Sequence, residues 1–206
     1  MGQPNKAPAH PKRVNALVEL PLLIAAALVM TLLVKAFLAQ AFFIPSASME
    51  PQLRKGDRVV VSRTAYRLHD VRRGDIIVFP SPAVPAEKEG VVARVAHDVL
   101  ESVGLRDPGD RELIKRVIGL PGETIQGVDG HVLIDGRRLV EPYLTDQVLT
   151  STFGPVKVPA GRVFVMGDNR TNSHDSRSAD VGPIEVKTIV GRAIARVWPP
   201  GRTAFL

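Results

Sequence analysis

Residues 20–34 form a fifteen-residue run without a charge, and residues 36–44 add nine more after the single Lys35. As one helix, 20–44 would be roughly 37 Å long at about 1.5 Å per residue, against a hydrocarbon core of about 30 Å. Pro21 stands near the start, where a missing N–H costs least. Lys35 can extend its ammonium to the headgroups. A cleaved leader fits poorly, because the apolar region exceeds the usual length of about 7–15 residues. A buried soluble helix fits poorly too, since 23–34 has no polar face. The expectation is a polar tail at 1–16, an uncleaved anchor at 17–41 and a folded domain at 42–206.

Charge leaves the direction of the span open. Lys6, Lys12 and Arg13 favour a cytoplasmic tail, whereas Arg54, Lys55, Arg58 and Arg63 favour the reverse. The whole chain carries +6, compatible with anionic lipid or nucleic acid but proving neither. Residues 83–112 hold four basic groups against seven acidic ones, a net of −3. That stretch lacks strand signals and reads as a peripheral insertion at about 82–111. Cysteine is absent, which removes disulfides, thiol nucleophiles and thiolate metal sites.

Beyond residue 44 the chain reads as strands. Short β-branched runs lie at 58–62, 75–79, 113–118, 156–158, 162–166 and 184–197, and hairpin signals stand at Asp129-Gly130 and Asp135-Gly136. The fold class expected is a mostly β, antiparallel domain behind one N-terminal membrane helix.

Three patches could carry chemistry. In IPSASMEP (44–51), Ser46 and Ser48 lie between two prolines just after the apolar run, in a stiff extended or turn segment. A serine nucleophile needs a base. His69, His97 and His174 each precede an Asp, an adjacency that does not make a triad link, and His10 and His131 have no such neighbour. Lysine is the alternative. The period-two pattern of 113–118 sets Leu113, Lys115 and Val117 on one face, so a strand covered on both sides would press Lys115 against apolar surface. Lys187, alternating with Glu185 and Ile189, is easily solvated. Burial matters because only the free amine accepts a proton, and desolvation lowers a lysine pKa. The third patch, GDNRTNSHDSR (167–177), follows an apolar strand; Asp168, Arg170, Asp175 and Arg177 could cross-brace it. Its acidic spacing does not match a calcium loop.

With PSASMEPQL (45–53), RRGDIIVFPSP (72–82), LIKRVIGLPGE (113–123) and GDNRTNSHDSR (167–177) in this order after an apolar span, the chain resembles the type I signal peptidase (leader peptidase) family. The resemblance implies a β catalytic domain on the outer face of a bacterial membrane, with the tail inside. It implies Ser48 as nucleophile, Lys115 as general base, and Ser46 with the Ser48 backbone N–H as oxyanion donors. It implies Ser173 as the residue orienting the lysine, Asp168, Asp175, Ser176 and Arg177 as site braces, and Ile44, Met49, Leu53, Leu113 and Ile114 as the substrate pocket. The partners implied are signal peptides of preproteins, the lipid bilayer and the secretion translocon nearby, with no nucleic acid, no metal and no organic cofactor. Two rivals stand beside it. A self-cleaving Ser/Lys protease would not act in trans, and a membrane-tethered binding module would not cleave at all.

Overall fold

The computed structural model describes residues 16–37, 39–82, 112–145 and 148–206, with the side chains of the first segment described at 19–28 and 30. The first element is a helix, α1 (Ala16–Phe37), of 22 residues with Pro21 in its first turns. Leu20, Leu22, Leu23, Ile24, Leu28 and Met30 point outward on it. Among the described residues no helix is long and apolar enough to cross a membrane. The tail at 1–15 and the insertion beyond residue 82 lie outside the described residues.

One expectation is corrected here. The anchor expected at 17–41 is not helical to its end: α1 stops at Phe37 and 39–43 form a strand, β1 (Ala39–Phe43). β1 pairs antiparallel with β2 (Arg58–Ser62), from Ala39 opposite Ser62 to Phe43 opposite Arg58. The pairing turns Phe42 into the core and leaves Phe43 partly exposed, a two-residue alternation hidden inside a continuous apolar run.

The short helix α2 (Ala65–Leu68) follows, then β3 (Ile76–Pro80), β4 (Glu112–Gly119), β5 (Thr124–Val128), β6 (His131–Ile134), β7 (Arg137–Arg138), β8 (Phe153–Lys157), β9 (Arg162–Met166), β10 (Ile184–Glu185), β11 (Gly191–Trp198) and β12 (Ala204–Phe205). The run 184–197 is thus not one strand: a 3-10 turn at Val186–Thr188 separates β10 from β11. The main sheet has the order β1-β2-β11-β3-β4-β9-β10, with β12 on β11, and a second sheet has the order β7-β6-β5-β8. All described pairings are antiparallel. Both Asp-Gly hairpins form, with φ of 50° and 79° at Asp129 and Gly130 and of 49° and 77° at Asp135 and Gly136.

The central strands are apolar on both faces because both faces are covered. Ile76 and Val78 enter a cluster with Ile44, Met49, Leu53 and Val59, while Ile77 and Phe79 enter another with Val117, Val163 and Val165. Phe164 and Met166, on the other face of β9, pack with Ile118 of β4 and with Ile125 of the second sheet. β4 runs between these layers. Any polar side chain in its middle is therefore taken out of water.

Candidate active site

Two cations stand in the apolar middle of β4, and the fold buries both. Lys115 pairs in register with Ile77 and is 2% exposed. Its Nζ donates to Ser48 Oγ at 2.7 Å and to the Ile114 carbonyl at 2.9 Å. Desolvation pulls its pKa from 10.5 down to about 8, although Asp175 and Asp168 draw it upward. Lys187, by contrast, has an 81% exposed side chain that pairs with Glu185 at 2.8 Å.

Ser48 is itself only 7% exposed. It sits at the head of a turn in which Glu50 N–H donates to Ala47 O and Leu53 N–H to Met49 O, so the segment after Pro45 is a turn, not a strand. The turn still brings the two hydroxyls together, with Ser46 Oγ and Ser48 Oγ 3.3 Å apart. Met49 and Leu53 are fully buried in the core beside Ile44 and anchor the loop from below.

The 167–177 loop clamps this turn from the other side. Asn169 N–H donates to Ser48 O at 3.0 Å, and Asn169 Nδ2 to Ala47 O at 3.2 Å. Asp175 is fully buried; burial pushes its carboxyl up, but Arg177 and the Gly167 N–H outweigh that and hold it low. Arg177 reaches it through Nε at 2.8 Å and Nη2 at 2.9 Å. Ser176 Oγ accepts from Val165 N–H at 3.0 Å, tying the loop back to β9. Asp168 takes two bonds from Arg116, Nε to Oδ1 at 2.8 Å and Nη2 to Oδ2 at 2.7 Å. Arg170 bonds Glu141, Thr150 Oγ1 at 2.9 Å and Gly167 O at 3.0 Å. Asp175 and Arg177 thus pair within the loop, whereas Asp168 and Arg170 reach out of it to Arg116 and Glu141.

Ser173 is placed differently from the expectation. The amine of Lys115 is bonded to Ser48 and Ile114, whereas the buried Ser173 Oγ makes no bond to it. It packs over Gly167, where an added methyl would fall 2.2 Å from Ser173 Oγ and 2.3 Å from Ser48 O. The pocket expectation also divides. A small apolar cleft beside the site is lined by Phe42, Phe43, Ile44, Pro45, Val78 and the 112–114 end of β4. Ile44, Leu113 and Ile114 are in it, but Met49 and Leu53 are not, because the turn directs both into the core.

Sequence reasoning missed Asn169, Arg116, Tyr143 and Glu141. Arg116 lies under the Tyr143 ring, 3.9 Å from its centroid, and Tyr143 donates to Glu141 at 2.6 Å. The signal for Arg116 was present: like Lys115, it interrupts an apolar alternating run. Tyr143 and Glu141 gave none, since they belong to a loop whose contact with the site is purely tertiary.

An amine with lowered proton affinity, in contact with a hydroxyl that has a second hydroxyl beside it, is equipped for nucleophilic attack on an acyl carbon. The family model described as "Signal peptidase, peptidase S26" matches residues 17–198. The chain belongs to the signal peptidase family. It is accordingly a serine endopeptidase of the signal peptidase I type. Signal peptidase I of Leptolyngbya laminosa is 38% identical over 98% of this chain and 93% of its own length. The probable signal peptidase I of Mycobacterium leprae is 35% identical, over 94% and 80%. The crystal structure of a signal peptidase I from Enterococcus faecalis is 30% identical, covering 60% of this chain and 97% of that one, with a TM-score of 0.42.

Proposed function

We propose that this signal peptidase family member removes N-terminal signal peptides from secreted preproteins, cutting after a small residue through an acyl-enzyme on Ser48. The observation that carries the reading is the buried Lys115 amine 2.7 Å from Ser48 Oγ, with its pKa brought down to about 8. About half of such lysines are neutral at pH 8, against under about 1% at the ordinary value.

In this mechanism Lys115 Nζ takes the Ser48 proton as Oγ bonds to the scissile carbonyl carbon. The resulting oxyanion is held by the Ser48 backbone N–H and the Ser46 hydroxyl. Collapse breaks the C–N bond, and the Lys115 ammonium gives its proton to the departing amine. A water then loses a proton to Lys115 and attacks the ester, and the proton returns to Ser48 Oγ as the signal peptide leaves. Once Ser48 is esterified it no longer shares a proton with the lysine, and the Ser173 hydroxyl is assigned to steady the amine in that state. Asp168, Asp175, Ser176 and Arg177 brace the loop that carries it.

The cleft of Ile44, Leu113 and Ile114, narrowed by Phe42 and Phe43, suits a small side chain before the cut. The chain works as a single-pass membrane protein of the bacterial cell membrane, its tail inside and its β domain outside, a reading that rests on the apolar sequence segment 17–41. Enzyme and precursor then share one bilayer close to the translocon, which raises their effective concentration.

The test is a purified preprotein incubated in detergent with the intact chain and with Ser48→Ala, followed by sequencing of the new N-terminus. A single cut after a small residue, lost in Ser48→Ala, is expected. Cleavage that persists in Ser48→Ala would overturn the assignment of the nucleophile. Failure of the intact chain to cut in trans would favour the self-cleaving alternative.

A further inference from the structure

The loop that carries Ser46 and Ser48 is closed at its neck by two backbone bonds, Ile44 N–H to Asp57 O and Gly56 N–H to Ile44 O, each 2.9 Å. Inside the neck, the Asp57 carboxylate accepts the Arg54 N–H at 2.8 Å and is almost wholly buried. A carboxylate in that setting needs a cation. It finds its nearest one in a segment far along the chain, where Arg202 Nη1 reaches Asp57 Oδ1 at 2.9 Å and Oδ2 at 3.1 Å, while Arg196 Nη1 stands farther off, 3.8 Å from Oδ2.

That cation is itself held in place. β12 pairs with β11, Ala195 opposite Phe205 and Arg196 opposite Ala204. Arg196 bonds both the Arg202 carbonyl and the Gln52 carbonyl on the returning limb of the serine loop. Leu206 donates its N–H to Ile194 O at 3.1 Å and packs on the core cluster that contains Ile44, Met49 and Leu53. The segment 199–206 lies beyond the stretch matched by the family model, which ends at residue 198.

We propose that segment 199–206 is a clamp on the nucleophile loop, in which Arg202, seated on Asp57 and supported by Arg196, is a positioning residue that sets where Ser48 stands relative to Lys115. It acts through Asp57 and the loop neck, touching neither substrate nor the reacting atoms. The inference rests on Ser48 being the nucleophile, but the placement of the loop can be read without turnover.

Two measurements on the full chain in detergent test it. In the Ser48→Ala background, Arg202→Ala should increase amide hydrogen exchange at Ile44, Leu53 and Gly56 selectively, with the amides of β5 and β6 unchanged. With Ser48 present, Arg202→Ala should lower kcat by about tenfold or more while leaving KM near its original value, since a misplaced nucleophile loses rate and not affinity. Arg202→Lys, which keeps the charge with a less favourable geometry, should recover part of the loss. Removal of residues 203–206 should act in the same direction as Arg202→Ala. Unchanged exchange at the loop neck, or a kcat equal to that of the intact chain for the folded fraction, overturns the clamp. Exchange that rises throughout the domain also overturns it, by showing a general loss of stability. Loss of selective protection together with cleavage that never depended on Ser48 would retain the clamp and refute the nucleophile.

Discussion

Arg116 grips Asp168 through two parallel hydrogen bonds of 2.8 and 2.7 Å, one residue along β4 from Lys115. Both side chains are buried, the carboxylate completely. The pair offsets part of a negative charge that draws the proton affinity of the neighbouring amine upward. Arg177 does the same for Asp175. The two acids that raise the proton affinity of Lys115 are therefore each neutralised by an arginine at contact distance.

Breaking the first pair should be costly. Asp168→Ala leaves the Arg116 guanidinium buried without its carboxylate, for which about 3–5 kcal/mol of stability is the expected loss. Urea unfolding of the two proteins measures it. A loss below about 1 kcal/mol would show that water reaches the site after all.

The rate of precursor cleavage should rise with pH along a limb set by Lys115, with its midpoint near pH 8. Lys115→Arg should be inactive throughout, because a guanidinium does not give up its proton. A kcat/KM profile flat from pH 6 to about 9 would contradict a lysine base.

The same shift has a sign for stability. Lys115 binds its proton less tightly folded, with a pKa of about 8, than at its ordinary 10.5. The cost of the buried ammonium is therefore present in full below pH 8 and disappears as pH rises toward 10.5. Lys115→Met should be inactive yet more stable than the parent at pH 6 by about 3 kcal/mol at most, with the difference shrinking at higher pH. A stability difference that does not change between pH 6 and about 10 would count against the burial argument.

Ser46→Ala should reduce kcat by about 10²–10³ if the hydroxyl holds the oxyanion, with little change in KM. Gly167→Ala is a steric test of the same site, since its methyl would overlap Ser48 O and Ser173 Oγ. It should abolish cleavage while the second sheet keeps its amide protection. Full activity in Gly167→Ala would mean that the two loops are not held as closely as described.

How far residues alone reveal such a site depends on the range of the interactions. Lys115 was legible because its burial follows from a local period-two pattern. The serine turn was legible because two prolines frame it. The inward direction of Met49 and Leu53 was not legible, because it is set by the turn 47–53, whose hydrogen bonds cannot be read from apolar character. β1 was hidden since an uncharged, largely apolar run satisfies helix and strand alike, and only pairing with β2 decides. Ser173 has the right neighbourhood but not the expected bond, a distinction of orientation that no spacing encodes.

The strand β1 begins two residues after α1 ends, and its far end walls the cleft with Phe42 and Phe43. With one residue between them, the end of α1 lies within about 8 Å of the start of β1, so whatever holds the helix also bounds where that wall can stand.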